Sequence, residues 1–370
     1  MSTRELNRAT LARQLLLARA QVGAKKAGPG ALAGVADVID RLAGMQAQQA
    51  RPPFVGLWTR VAGFARAQLC EALLGKQVVR ATAMRGTLHL LSARDYLTLR
   101  PALAAMLEVG MRAILGDRVS ELDLGKLGAF AATKLPATFD QLRPVLAKKF
   151  ASFDERALGY AVRCTLPLVQ VPTSADRWAF PAAAQFTPAV TWLGAELAPG
   201  SLETLVRRYL AAFGPATVKD AQVWSGFRDK SLAAAFEALR PELVTFRDGK
   251  RELFDLPDAP RPGADVEVPV RFLPEFDNLV LAHDDRSRVI ADAHRPLVVT
   301  KNLQVRATFL VDGVVAGTWT IERKKAAATL TLAPFARLAR PTVTALEAEG
   351  DALLRFVEDD ATTFAVVLAK

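Results

Sequence analysis

The chain has 370 residues, 51% of them hydrophobic and 23% charged, with 48 Lys and Arg against 38 Asp and Glu. That size points to two or three folded units, the apolar content excludes a disordered chain, and no apolar run reaches the ~18 residues of a membrane span. Met1-Ser2-Thr3-Arg4-Glu5 lacks an apolar signal core, and Cys70 and Cys164 form neither a disulfide framework nor a zinc pattern, so a reduced cytoplasmic setting is expected.

Ser2-Thr3-Arg4-Glu5 is a capping box and predicts a helix whose apolar face carries Leu11, Leu15 and Leu16. Gly23 to Gly34 is too rich in glycine to be an element. Val35 to Ala43 predicts a short helix stopped at Gly44, followed by Met45-Gln46-Ala47-Gln48-Gln49 and by Arg51-Pro52-Pro53, which cannot continue a helix. A helix over Ala67 to Leu74 and a hairpin over Val78 to Leu91, turning near Met84-Arg85-Gly86, complete the first unit, and Ser92 starts the next helix. Helices over Phe139 to Phe150 and Glu155 to Arg163, then a hairpin of Leu168 to Val171 with Arg177 to Phe180, make a second unit. Helices from Ser201 to Phe213, from Thr217 to Gly226 and from Ser231 to Leu239 make the third, with a hairpin across Asp248-Gly249. Helix, short helix, helix, hairpin is the order of a winged helix-turn-helix, and it recurs three times. From Val266 onward strands dominate: Val266 to Phe272, Val305 to Val311, Val314 to Ile321, Thr329 to Leu332 and Phe364 to Leu368, with a helix over Val343 to Val357. These strands read as a small antiparallel sheet or barrel.

The expected architecture is therefore α+β. Its units are residues 1–120 with the Gln-x-Gln motif, 121–190, 200–258, and a strand-rich unit over 265–370. Residues 1–120 hold 17 basic and 7 acidic residues, residues 121–262 hold 18 and 16, and residues 263–370 hold 13 and 15. The whole excess of +10 thus sits in the first third, a distribution that suits a nucleic-acid partner.

No phosphate loop, dinucleotide fingerprint, zincin motif or Gly-x-Ser-x-Gly elbow is present, and His89, His283 and His294 have no metal spacing, so neither a metal nor a cofactor is expected. The unusual feature is Gln46-Ala47-Gln48. Two glutamines two residues apart point to one side of an extended segment, where their amides can fix a water and present dipoles without being strong bases. Composition alone favours a plain polar loop. Arg85 and His89 on the hairpin are candidates for phosphate or minor-groove contact, against an equal chance of an incidental surface turn. The acids of Leu273-Pro274-Glu275-Phe276-Asp277-Asn278 are better read as a structural turn than as acid–base groups. Trp58 and Trp224 fit core positions.

Leu6 to Gln14, Gly44-Met45-Gln46-Ala47-Gln48, Phe54 to Trp58, Met84-Arg85-Gly86-Thr87-Leu88-His89-Leu90, Trp224-Ser225-Gly226, Leu273 to Asn278 and Asp285-Arg286-Ser287-Arg288 together resemble one family. It is the bacterial winged-helix DNA-binding proteins that include the AlkZ- and YcaQ-type DNA glycosylases. The resemblance implies tandem winged helices in a C-shape with a C-terminal β-barrel, and no cofactor. It implies excision of N-alkylated purines such as N7-alkylguanine from double-stranded DNA, and unhooking of interstrand crosslinks in the AlkZ branch. In that branch the catalytic motif is glutamine, any residue, glutamine, and Gln46 and Gln48 fall on it. The YcaQ branch has aspartate where this chain has Gln48. Arg8, Arg13, Arg51, Arg85, His89, Arg323, Lys324 and Lys325 are the candidates for gripping DNA, in a protein expected to act as a monomer without membrane attachment. The competing reading is a non-catalytic winged-helix DNA-binding protein, either a regulator or a factor conferring resistance to a DNA-alkylating toxin.

Overall fold

A computed structural model describes residues 1–23 and 32–369, so the Gly-rich break expected around Gly23 to Gly34 lies mostly outside the described residues. The capping box forms as expected: Ser2 accepts from the Glu5 amide, Glu5 reaches back, and the helix runs Thr3–Arg13. The next helix, Val35–Arg41, is followed by the two-residue strand Met45–Gln46. The Pro52-Pro53 pair does not break a helix but opens one, Pro52–Arg60. The amides of a first turn have no intrahelical partner, so proline costs nothing there.

Met45–Gln46 joins a five-stranded sheet whose order is 45–46, 88–92, 78–82, 168–170, 186–188. One sheet therefore draws strands from both sides of the boundary expected near residue 120. The second hairpin differs from expectation. Leu168–Gln170 pairs with Phe186–Pro188, and 177–180 is not a strand. Trp178 and Phe180 alternate like strand residues, but the intervening Ala179 enters the same apolar cluster as both of them, with Phe54 and Leu90, which a looping backbone permits and a pleated one does not.

The third set of elements falls where the sequence places it: helices Leu202–Phe213, Val218–Ser225 and Ser231–Leu239, then strands Val244–Asp248 and Arg251–Asp255. Its core holds Tyr209, Phe213, Trp224 and Phe236, all fully buried.

The C-terminal strands do not close into a barrel. They form an open sheet in the order 363–368, 327–334, 314–324, 308–311, 271–273, and its two edge strands do not pair. It is also not fully antiparallel, because Ala327–Pro334 and Thr363–Leu368 run parallel. The expected strand over Val266 to Phe272 shrinks to Arg271–Leu273, too short an edge to complete a ring. Instead the 18-residue helix Arg340–Val357 packs Leu346, Leu353, Leu354 and Val357 against Phe272, Phe309 and Trp319. No helix of the described residues is long and apolar enough to cross a membrane.

One buried acid gives the fold a pH dependence. Asp95, in the first turn of helix Ala93–Ala102, accepts from Arg208 at 2.6 Å while its Oδ2 is buried without a partner. Burial first, and then the neighbouring Asp40, raise its carboxyl from 3.8 to about 6 against the pull of Arg208. Between those values the folded state holds a proton that the unfolded state has released, so this group's contribution falls as pH rises from about 4 to about 6. Urea unfolding at pH 4.5 and pH 7 is expected to show a smaller difference in Asp95→Asn than in the parent. Identical differences in both proteins overturn this assignment.

Candidate functional site

Gly44 sets the position of the Gln-x-Gln segment. Its φ is +86°, and a Cβ there would lie 2.7 Å from Leu91 Cδ2 and 3.1 Å from Leu90 O, so only glycine lets the chain press against the neighbouring strand. Met45 then pairs with Leu90 and Gln46 with His89. Ala47 N donates to Leu88 O at 2.7 Å, but the reciprocal bond is replaced. Ala47 O accepts from Arg80 Nε at 2.8 Å, and Leu88 N donates to the side-chain Oε1 of Gln48 at 3.3 Å. Arg80 also donates to Gln48 O at 3.2 Å and lies 4.9 Å from the Phe180 ring. Burial lowers this guanidinium to about 10, so it stays charged at neutral pH and clamps the motif's backbone from below.

The two glutamines differ in environment. Gln46 is 8% exposed and Gln48 is exposed. Gln46 Oε1 accepts from Arg85 at 2.7 Å. A guanidinium and a backbone amide can only donate, so in both glutamines the carbonyl oxygen faces the protein and the amide nitrogen faces away. Each Oε1 keeps a second lone pair.

Arg85 is the hub of the site. It sits at the hairpin turn with φ +56°, followed by Gly86 at φ +70°. Its fork reaches Gln46, Asn278 Oδ1 at 3.1 Å and the carbonyl of Trp224. Burial, and then Arg286, lower it to about 10, so it remains a cation whose hydrogen-bond partners are all neutral. His89 is fully buried, donates from Nδ1 to Thr87 O at 3.1 Å, and is held down to about 3 by burial and by Arg85, so it is uncharged at neutral pH.

The turn Leu273 to Asn278 is tied onto this segment by three links. Asp277 takes both nitrogens of Arg60, each at 2.9 Å; Asn278 Nδ2 donates to Gly44 O at 3.3 Å; Glu275 accepts from Arg51 at 2.8 Å. Between turn and motif lies a cleft of about 10 Å³, lined by Gln14, Gly44, Gln46, Arg60, Glu275 and Asp277 among others. That is room for about one water molecule. On the far side of Arg85 opens a groove of about 830 Å³, whose wall includes Lys219, Gln222, Arg228, Met106 and Phe227 and no acidic residue.

Several expected DNA contacts are placed elsewhere. Arg8 is 1% exposed and bonds to Asp312 and Val266 O; Arg13 is fully buried against Asp255; His89 is buried and neutral. Arg60, Arg80 and Arg100 are buried as well, so much of the basic excess of the first third is internal and not a surface field. Arg51 is half-buried on Glu275, Arg323 pairs with Glu358 and Asp360, Lys324 pairs with Glu322, and Lys325 is exposed. Sequence reasoning missed the roles of Arg60, Arg80 and Asn278. A lone arginine inside the apolar strand Val78–Thr82 is the one signal that could have flagged Arg80. Among the described residues, no group of three or more His, Cys, Asp or Glu is placed to hold a metal ion.

The family model "DNA glycosylase AlkZ-like" matches residues 39–356. An interstrand DNA cross-link repair glycosylase from Streptomyces sahachiroi is 27% identical over 337 residues, covering 85% of this chain and 88% of that protein. The solved structure of Streptomyces sahachiroi DNA glycosylase AlkZ, 24% identical, covers all of both chains with a TM-score of 0.78, a likeness of fold. Because the family match runs through the Gln-x-Gln segment, the Arg85 hairpin and the 273–278 turn, the chain belongs to the AlkZ-like DNA glycosylase family.

Proposed function

We propose that this protein is a monofunctional DNA glycosylase that hydrolyses the N-glycosidic bond of N7-alkylated purines in duplex DNA, with Gln46 and Gln48 holding the nucleophilic water. The observation that carries this reading is the Arg85 fork, which fixes the Gln46 carboxamide at the edge of a one-water cleft. An N7-alkylated purine is cationic and leaves as a neutral base, so the bond needs little acid catalysis. The site must hold a water at the anomeric carbon and tolerate a cationic sugar, which rigid neutral amides do by preorganisation. Ordinary bases, poor leaving groups, are left alone by such a site. None of the cleft residues is a lysine, which supports hydrolysis over an imine-forming lyase. The groove beyond Arg85, with Lys219 and Arg228 on its wall, is the proposed path of the backbone. The crosslink-repair name of the Streptomyces sahachiroi relative supports unhooking as a further activity.

Incubation with a duplex carrying 7-methylguanine, followed by alkaline cleavage, tests this. The expected result is strand scission only after alkali, with Gln46→Ala and Gln48→Ala slowed at least about 10²-fold while still binding the duplex. Equal release by parent and variants overturns the glutamine assignment. Sequence-specific binding without any release favours the non-catalytic regulator.

A further inference from the structure

The proposed hydrolysis leaves one requirement unmet by carboxamides. Water that attacks the anomeric carbon must lose a proton, and an amide oxygen is too weak a base to take it. Glu275 has the properties the step requires.

Its backbone is held by force. Phe276, next in the chain, is a buried aromatic at φ +60°, a strained conformation in a residue other than glycine. Asp277 on Arg60 and Asn278 on Arg85 and Gly44 impose it. The turn so fixed directs Glu275 between two spaces. One is the one-water cleft it shares with Gln46; the other is a cavity of about 350 Å³ bounded by Arg51, Arg306, Thr318 and Trp319. Arg51 holds Oε1 at 2.8 Å. Oε2 is buried and has no hydrogen-bond partner. Leaving a buried carboxylate oxygen unbonded is costly, and here that oxygen belongs to a residue that lines the one-water cleft beside Gln46.

We propose that Glu275 is a catalytic residue, the general base that accepts the water proton through Oε2. The inference rests on the glycosylase reading above. In the step, the water oxygen forms its bond to C1′ as the C1′–N9 bond breaks. The electron pair of that bond goes to the alkylated purine and neutralises its charge. The released proton passes to Oε2 and from there to solvent. Gln46, on the same cleft, orients the water, and the Glu275 charge offsets both the cationic sugar and the nearby Arg85. The other charged groups bordering the two spaces are Arg60 with Asp277 in the cleft and Arg51 with Arg306 in the larger cavity.

The test is single-turnover release of 7-methylguanine between pH 4.5 and pH 8 by parent, Glu275→Gln and Arg51→Met proteins, with spontaneous release subtracted. The parent rate is expected to rise with pH to a plateau. Glu275→Gln is expected to lose at least about 10²-fold at the plateau and to lose the acid limb. Arg51→Met, which removes the ion pair and keeps the carboxylate, retains that limb. A Glu275→Gln rate within threefold of the parent, or one that keeps the limb, overturns the proposal. No release by the parent itself defeats the glycosylase reading instead. If Glu275→Gln fails to fold, Glu275→Asp serves: it keeps the charge but withdraws it by one methylene, so a tenfold or larger loss with the limb retained supports the role, and an unchanged rate overturns it.

Discussion

Replacing Asp255 with alanine is expected to lower folding stability by about 3–5 kcal/mol, because it strands a buried cation. Arg13 is fully buried and grips both oxygens of Asp255, at 2.6 and 2.8 Å. Its remaining bonds go to the neutral carbonyls of Leu210 and Pro260. Arg261 also reaches Asp255, but its side chain is 25% exposed and can turn to solvent. The paired replacement Arg13→Met with Asp255→Leu is expected to recover most of the loss, since well-packed apolar side chains substitute for a buried ion pair without penalty. Urea unfolding followed by tryptophan fluorescence measures both. The same double variant decides what Arg13 does: retained DNA affinity fits its internal position, whereas a stable protein with weakened affinity returns Arg13 to the DNA interface.

Arg85 carries the second large effect. One guanidinium joins Gln46, Asn278 and the Trp224 carbonyl, and so links the hairpin, the motif strand and the 273–278 turn. Its removal frees the Gln46 carboxamide and loosens the turn that bears Glu275. Arg85→Met is expected to slow base release by about 10²–10³-fold, the range seen when one preorganised donor is lost. Arg85→Lys is expected to rescue little, because an ammonium is a point donor and cannot span the separated acceptors that a planar fork reaches. Affinity measured against salt separates this role from phosphate contact. A phosphate contact lowers the slope of log K against log salt by about one. An Arg85→Met protein that releases base at the parent rate rules out the positioning role.

The sequence carries local physics well and remote physics poorly. Ser2, Ser92, Thr138, Ser201 and Thr217 all accept a backbone amide at a helix start, and each is written in the few residues that follow it. The Asp248-Gly249 turn is equally local. What was not legible is which charges go inside. Arg4, Arg8 and Arg13 look alike in sequence, yet Arg4 is exposed while the other two are buried on acids hundreds of residues away. The barrel expectation fails for a similar reason: strand count is local, but closure depends on the length of the edge strand 271–273 and on the helix that covers the sheet. At the site, the glutamine pair and the Leu273 to Asn278 turn are both visible as motifs. Their junction through Arg85 is not, since the three segments lie 39 and 193 residues apart along the chain.

The first helix is also completed by parts of the chain made long after it. Asn7 donates to the carbonyls of Arg288 and Gly313, Arg8 is closed over by Asp312, and Arg13 by Asp255. Every one of these acceptors is synthesised more than 240 residues later. During translation these side chains cannot meet those partners until well over half of the polypeptide has been made. Trimming the first thirteen residues would therefore strip Asp255 and Asp312 of buried arginine partners and the carbonyls of Arg288 and Gly313 of their donor, and not merely remove a tail.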